Sequence, residues 1–261
     1  MDLGLTGHVA LVVGGTRGLG RACADQLAAE GVKVAVTGRN EAAAEQAAEE
    51  LRRHGADAVG LALDLQDEPA VESVVAEVVR RWNRLDVLVA SSPGPPSGPV
   101  DTLTAKDWRT AMEMNFLSLV HLTDQVLPHM RRAGYGKLHY IGTIGVRVVQ
   151  KQMALSNATR LALLGYVKTL AAELGPEGII PNFIAPGPIA TDRFTELIEQ
   201  TAQRTGSDLE TARESWVSEL PLGRAGTPQE LAMLVATLSS PHCSYTTGAV
   251  IPVDGGKAVS Y

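Results

Sequence analysis

Residues 8–30 read HVALVVGGTRGLGRACADQLAAE. The stretch has three parts. His8–Val13 is a short apolar run of strand type. Gly14-Gly15-Thr16-Arg17-Gly18-Leu19-Gly20 is a tight, glycine-rich turn. Leu19–Glu30 carries an alanine-rich helical pattern. A helix that opens directly after such a turn presents unpaired N–H groups and the positive end of its dipole. Glycines let the backbone turn sharply and approach a phosphate closely. A lone glycine motif is weak evidence, but here it follows a strand and opens a helix within about 30 residues. The reading is a dinucleotide loop, with Gly14, Thr16, Arg17, Gly18, Leu19 and Gly20 as its contacts. The bland alternative is a glycine-rich turn with no ligand.

The same alternation extends outward from this unit. Apolar runs follow at Val32–Thr37, Ala58–Leu63, Asp86–Ala90, Lys137–Ile141, Ile179–Ile184 and Ala249–Val253. Helical patterns lie between them at Glu41–His54, Glu68–Trp82, Ala105–Arg132, Ser156–Leu174 and Pro228–Ser239. Continuous apolar strands suit a sheet buried on both faces. Strand–helix repetition with right-handed crossovers predicts an α/β fold: one Rossmann-like, doubly wound parallel sheet with helices on both faces. Residues 1–261 read as a single domain. The Pro93–Pro99 segment, PGPPSGP, is too short for a linker and reads as a stiff loop. Residues 191–228 break the alternation with two helical patches, Arg193–Arg204 and Asp208–Glu219, and no strand. Insertions after the carboxyl ends of strands tend to cover the ligand crevice. This one reads as a substrate lid, or else as a surface excursion.

Composition narrows the partners. The net charge is −6, and Lys and Arg are dispersed, so neither a nucleic-acid stripe nor a membrane patch is expected. Cys23 and Cys243 lack metal-ligand spacing and read as free thiols, with no metal site. The first residues, MDLGLTGHVALVV, lack the basic and apolar regions of a signal peptide, and no apolar run is long enough for a membrane helix. A cytoplasmic location is expected.

The end of the second strand selects the cofactor. An acidic residue there would bond the ribose 2′-OH of NAD and repel a 2′-phosphate. The chain instead reads Thr37-Gly38-Arg39-Asn40. Arg39 can fork onto a phosphate, and Arg17 can reach the same group, which favours NADP(H). Asp64, after the third strand, either meets the adenine or caps a helix.

At this point the sequence resembles the short-chain dehydrogenase/reductase family, especially its ketoacyl-reductase-like members. The resemblance rests on ALVVGGTRGLG (Ala10–Gly20), LDL (Leu63–Leu65), MNFLSLV (Met114–Val120), PNFIAPGPIATDR (Pro181–Arg193) and TGAVIPVDGG (Thr247–Gly256). It implies about seven strands, a nicotinamide cofactor, a small-molecule substrate and usually a homotetramer. It also implies cofactor contacts at Asp64, Leu65 and Ala90, and nicotinamide contacts at Pro186, Gly187, Ile189 and Thr191. The family's usual catalytic set is Asn, Ser, Tyr and Lys. Asn115 matches the Asn, and Thr143 keeps a hydroxyl at the Ser position. The segment that should read Y-x-x-x-K reads Ser156-Asn157-Ala158-Thr159-Arg160. No tyrosine in the chain has a lysine four residues later.

That departure has a chemical cost. A serine hydroxyl is a far weaker acid than a phenol of pKa about 10. Arg160 is permanently charged and donates no proton in ordinary chemistry. Ser156 and Arg160 still share one helix face, four residues apart. Two readings stay open. One is an NADPH-dependent reductase of a small carbonyl or imine, with Asn115, Thr143, Ser156 and Arg160 at the centre and the proton delivered by water or the lid. The other is an NADP(H)-binding protein without redox turnover. Tyr140 alternates to the face opposite Thr143 and reads as core. Pro181 is out of place, near the start of a strand expected to be central.

Overall fold

The computed structural model describes residues 2–259. Seven strands form one sheet: β1 Val9–Val13, β2 Lys33–Gly38, β3 Ala58–Ala62, β4 Val87–Ser91, β5 Gly136–Ile141, β6 Ile179–Pro186 and β7 Val250–Val253. Their order is β3-β2-β1-β4-β5-β6-β7, and every pairing is parallel. The helices of the alternation are α1 Gly18–Ala29, α2 Glu41–Arg53, α3 Glu68–Trp82, α4 Ala105–Met112, α5 Ser118–Ala133 and α6 Ala154–Leu174. Then come α7 Asp192–Thr205, α8 Leu209–Val217 and α9 Pro228–Ser239. The Rossmann-like reading of the sequence holds, and strand bounds differ from it by a residue or two.

Alternation along each strand divides the core in two. Val9, Leu11 and Val13 of β1 point to the layer holding α3, α5 and α6. Ala10 and Val12 point to the layer holding α1, α2 and α9. Each strand is therefore apolar on both faces, which is why its sequence is a continuous run.

The sheet has a switch point. Its order reverses between β1 and β4, whose residues pair in register up to Val13 opposite Ala90. Chain leaving the two carboxyl ends there diverges to opposite faces and leaves a crevice.

Two local features depart from the sequence pattern. Ala105–Arg132 is not one helix, because a π turn at Glu113–Leu117 separates α4 from α5. A π turn shifts backbone bonding from i−4 to i−5 and strands a carbonyl. Asn115 Nδ2 donates to the Ala111 carbonyl at 3.2 Å and fills that need. Pro181 is tolerated for a topological reason. Its carbonyl accepts from Gly248 N at 2.7 Å, so its backbone polar groups face the β7 side. β7 begins only at Val250, and no ladder donor is required of Pro181. Residues 191–228 contain α7 and α8, as the pattern predicts, with their own small core of Phe194, Ile198, Ala202 and Ala212. Among the described residues no helix is long and apolar enough to cross a membrane, and no group of side chains has the makings of a metal site.

Candidate active site

The crevice at the switch point is a cleft of about 520 Å³. It runs from the β1–α1 turn, past the ends of β2, β3 and β4, to the start of α6 and the α7–α8 insertion.

Its first end is built from glycine. Gly14 and Gly18 have φ of +69° and +58°, a region that side chains strain to adopt. A Cβ on Gly14 would lie 2.6 Å from the Ser91 carbonyl oxygen, and one on Gly20 would strike the Gly14 carbonyl. Glycine is thus required for packing as well as for the turn. No side chain caps α1, so its first N–H groups are left for a ligand. Gly14, Thr16, Arg17, Gly18 and Leu19 line the cleft, whereas Gly20 is buried behind it and serves helix–strand packing.

Arg39 lines the same end, is exposed, and has no ion-pair partner among the described residues. Arg17 is also exposed and lies 3.8 Å from Asp192, a weak contact in water. Asp64 and Leu65 line the cleft. Asp64 accepts from Gln66 N at 3.0 Å, and Asp67, not Asp64, caps α3, which removes the capping alternative for Asp64. Ala90 is fully buried and does not line the cleft; Ser91, one residue on, takes that place.

The opposite end gathers residues from four elements. Pro186, Gly187, Ile189 and Thr191 line it after β6. A Cβ on Gly187 would lie 2.8 Å from Asp254 Cα, which fixes glycine there. Thr191 also caps α7, its Oγ1 accepting from Phe194 N at 3.4 Å. Thr143, Ser156 and Arg160 all line this end. The Thr143 hydroxyl accepts from Gly145 N at 3.1 Å and keeps its own proton to donate.

Arg160 is the unusual member. It is only 3% exposed. Its Nη1 donates to the Ile141 carbonyl at 3.3 Å and its Nη2 to the Ser92 carbonyl at 3.1 Å. No carboxylate pairs with it among the described residues. Burial alone pushes its pKa down to about 10, so it stays charged near neutrality.

Asn115 differs from its expected place. It is fully buried and lies behind the cleft wall, not on it. Its Oδ1 accepts from Ser92 Oγ at 3.1 Å while its amide fills the π turn. Asn115 therefore orients Ser92, which does line the cleft. Sequence reading gave Ser92 no role. Gln150, Met153, Phe194, Leu197 and Trp216 also line the cleft and were not singled out. The last three lie within the two helical patches of the insertion, whose spacing does not say what they face.

No tyrosine among the described residues lines the cleft. Tyr140 is buried with its hydroxyl 2.7 Å from Thr123 Oγ1, a core role as read from strand alternation. Tyr135 donates to the Ser239 carbonyl at 2.7 Å, away from the cleft.

Comparison with known proteins agrees with this geometry. The family model described as Enoyl-(Acyl carrier protein) reductase matches residues 13–258. The short-chain reductase protein NovJ of Streptomyces niveus is 34% identical over 95% of this chain and 93% of its own. The 3-oxoacyl-[acyl-carrier-protein] reductase FabG of Aquifex aeolicus is 31% identical over 98% of this chain and 99% of its own. A crystal structure of an actinorhodin polyketide ketoreductase with NADPH superposes with a TM-score of 0.93 at 31% identity, over 97% of this chain and 98% of that one. On the extent of these matches, and on the shared fold, the chain belongs to the short-chain dehydrogenase/reductase family.

Proposed function

We propose that this chain is an NADP(H)-dependent reductase of a small carbonyl compound, and that it delivers the proton without a tyrosine. The observation that carries the reading is one continuous cleft. It joins the uncapped glycine turn to Thr143, Ser156 and the buried Arg160. The similar proteins support it, being described as reductases, one of them in a structure with NADPH.

The residues fit the cofactor. The turn Gly14–Leu19 and the open start of α1 would hold the pyrophosphate. Arg17 and Arg39 would hold the 2′-phosphate. Asp64 and Leu65 would meet the adenine. Pro186, Gly187, Ile189 and Thr191 would hold the nicotinamide. When bound, NADPH supplies a hydride.

The chain's own residues do the rest. The Thr143 and Ser156 hydroxyls donate to the substrate oxygen. Arg160 lends a fixed positive charge to negative charge developing there. Asn115 is a positioning residue that fixes Ser92. Neither hydroxyl is acidic enough to be a general acid near pH 7, so Arg160 holds the developing oxyanion and the proton comes ultimately from bulk solvent, exchanged through these hydroxyls and water entering the cleft. The same Arg160 disfavours a cationic iminium, because two like charges would meet beside a buried guanidinium. Carbonyl reduction is therefore preferred to imine reduction. The α7–α8 insertion acts as the lid: Arg193 Nη2 donates to the Pro95 carbonyl at 3.3 Å, and Ser97 Oγ to Gln200 Oε1 at 2.8 Å.

A second reading, NADP(H) binding without turnover, is favoured by one observation. Arg160 is already tied to two carbonyls and pins α6 to β4 and β5. The test follows NADPH absorbance with β-diketones, β-ketoesters and cyclic imines, with NADH as control and cofactor binding measured by fluorescence. Turnover of the dicarbonyls but not the imines supports the first reading. Tight NADPH binding with no turnover on any panel supports the second.

A further inference from the structure

A buried guanidinium without a carboxylate is costly. Leaving a buried charge uncompensated costs several kcal/mol, so chains rarely keep one without use. Arg160 has five N–H donors, of which two bonds to carbonyls are accounted for. The other charges on the cleft are either matched or lie at the far end, where Asp64 and Arg39 have no ion-pair partner among the described residues. Asp192 faces Arg17, and Glu196 pairs with Arg193 at 3.1 Å. Arg39 is exposed at the far end. At the inner end Arg160 thus has no carboxylate paired with it among the described residues.

Two further features add to that polarity. α6 enters the cleft with no side-chain cap, and Met153 and Ser156 of its first turn line the wall. A long helix presents partial positive charge at this end. The Ser156 and Thr143 hydroxyls supply neutral donors on the same wall. Apolar and aromatic side chains, Met153, Phe194, Leu197 and Trp216, line the cleft as well, together with the polar Ser92 and Gln150. Phe194 and Trp216 are held edge to face at 6.0 Å.

We propose that the inner end of the cleft is an oxyanion site that takes an acidic oxygen on a planar conjugated frame, an enol or phenol, as its anion. Arg160 holds the oxygen, and the lid aromatics cover the frame. The ligand class follows from charge and shape. A delocalised enolate or phenolate is basic enough to pair strongly with a guanidinium, yet stable without a proton donor. An isolated alkoxide is not. The anion itself cannot take a hydride, whereas an enol's keto tautomer can, so this inference rests on the reductase reading only in naming that keto tautomer as substrate, and anion binding needs no turnover.

The test uses 4-nitrophenol, whose neutral and ionised forms absorb at different wavelengths. It is titrated into the protein across a pH series, without cofactor. An opposite charge in contact shifts an acid by about one to three pKa units. Saturable binding, with the ionisation constant of the bound phenol raised about ten- to a thousandfold, is expected. Arg160→Met is expected to abolish that shift and Arg160→Lys to retain part of it; circular dichroism confirms that each variant is folded. Affinity for 2′,5′-ADP, measured in parallel, reports the adenosine end separately. No saturable binding, binding as the neutral phenol, or an unchanged shift in Arg160→Met overturns the proposal. A loss confined to NADP⁺ affinity also overturns it, since Arg160 then serves the cofactor ribose. NADPH fluorescence in the wild type separates failure of this site from failure of the reductase reading.

Discussion

Arg39 ends β2 on an exposed turn with no ion-pair partner among the described residues. We propose that this one charge selects between two cofactors. Charge-assisted hydrogen bonds contribute about 1.5–3 kcal/mol, so Arg39→Asp is expected to weaken NADPH binding about ten- to a hundredfold and NADH binding far less. Dissociation constants from fluorescence titration check this, and an unchanged NADPH preference would remove Arg39 from the phosphate site. A different residue governs stability at low pH. His139 is fully buried, with Nε2 3.0 Å from Ser239 Oγ and no partner at Nδ1. Burial, and then the nearby Lys137 charge, push its pKa down to about 3. Unfolded histidine titrates near 6.5. Between those values the unfolded chain binds a proton that the folded chain refuses, so stability falls as pH falls. Each unit below about 6.5 is expected to remove about 1.4 kcal/mol through this residue. Urea unfolding at pH 7 and pH 5 should show a smaller pH effect in His139→Gln than in the wild type.

At the scale of elements, the π turn between α4 and α5 is held by a single side chain. Asn115 supplies the donor that Ala111 lacks and accepts the Ser92 hydroxyl. In Asn115→Ala a buried carbonyl and a buried hydroxyl both lose a partner. The expected destabilisation is about 1–3 kcal/mol, read as a lower urea midpoint with an unchanged slope. A helix that simply reverted to α geometry would show almost no loss. The insertion is the other element with its own logic. α7 and α8 close on a small core of Phe194, Ile198, Ala202 and Ala212 that is separate from the two cores of the sheet. Besides Arg193 to Pro95 and Ser97 to Gln200, it meets the rest of the chain through Arg17 and Asp192 at 3.8 Å, the Lys257 ammonium 5.5 Å over the Trp216 ring, and Leu222 N donating to the Gly255 carbonyl at 3.2 Å. Local opening of such a unit costs less than global unfolding.

At the scale of the whole molecule, some apolar surface is left uncovered in one copy of the chain. Leu117 and Leu161, beside and on the long helices of one face, are 47% and 49% exposed. Nearby, His121 Nε2 and His129 Nδ1 are buried without partners. With the family's habit of assembly, this predicts a homotetramer. Light scattering after gel filtration is expected to give about four times the 27.6 kDa chain mass. A single-chain mass would show that these helices face solvent.

The sequence by itself determined the sheet, its parallel sense and the glycine turn at one end of the cleft. Those depend on local rules: apolar runs of strand length, and a turn in which Gly14 and Gly18 must take positive φ. It also determined that Ser156 and Arg160 share a face, because helical spacing is fixed. Tertiary structure decided what spacing cannot reach. Asn115 is in the right place in the chain, but a π turn and the Ser92 hydroxyl draw its amide behind the wall. Gly20 and Ala90 carry the motif yet face packing, not the cleft. Ser92, Phe194 and Trp216 reach the cleft from segments far apart in the chain, whose meeting depends on how loops cross at the switch point. The bare charge of Arg160 was the last to emerge. A permanent cation is legible in one letter, but its burial, and the absence of any described carboxylate beside it, are properties only of the packed molecule.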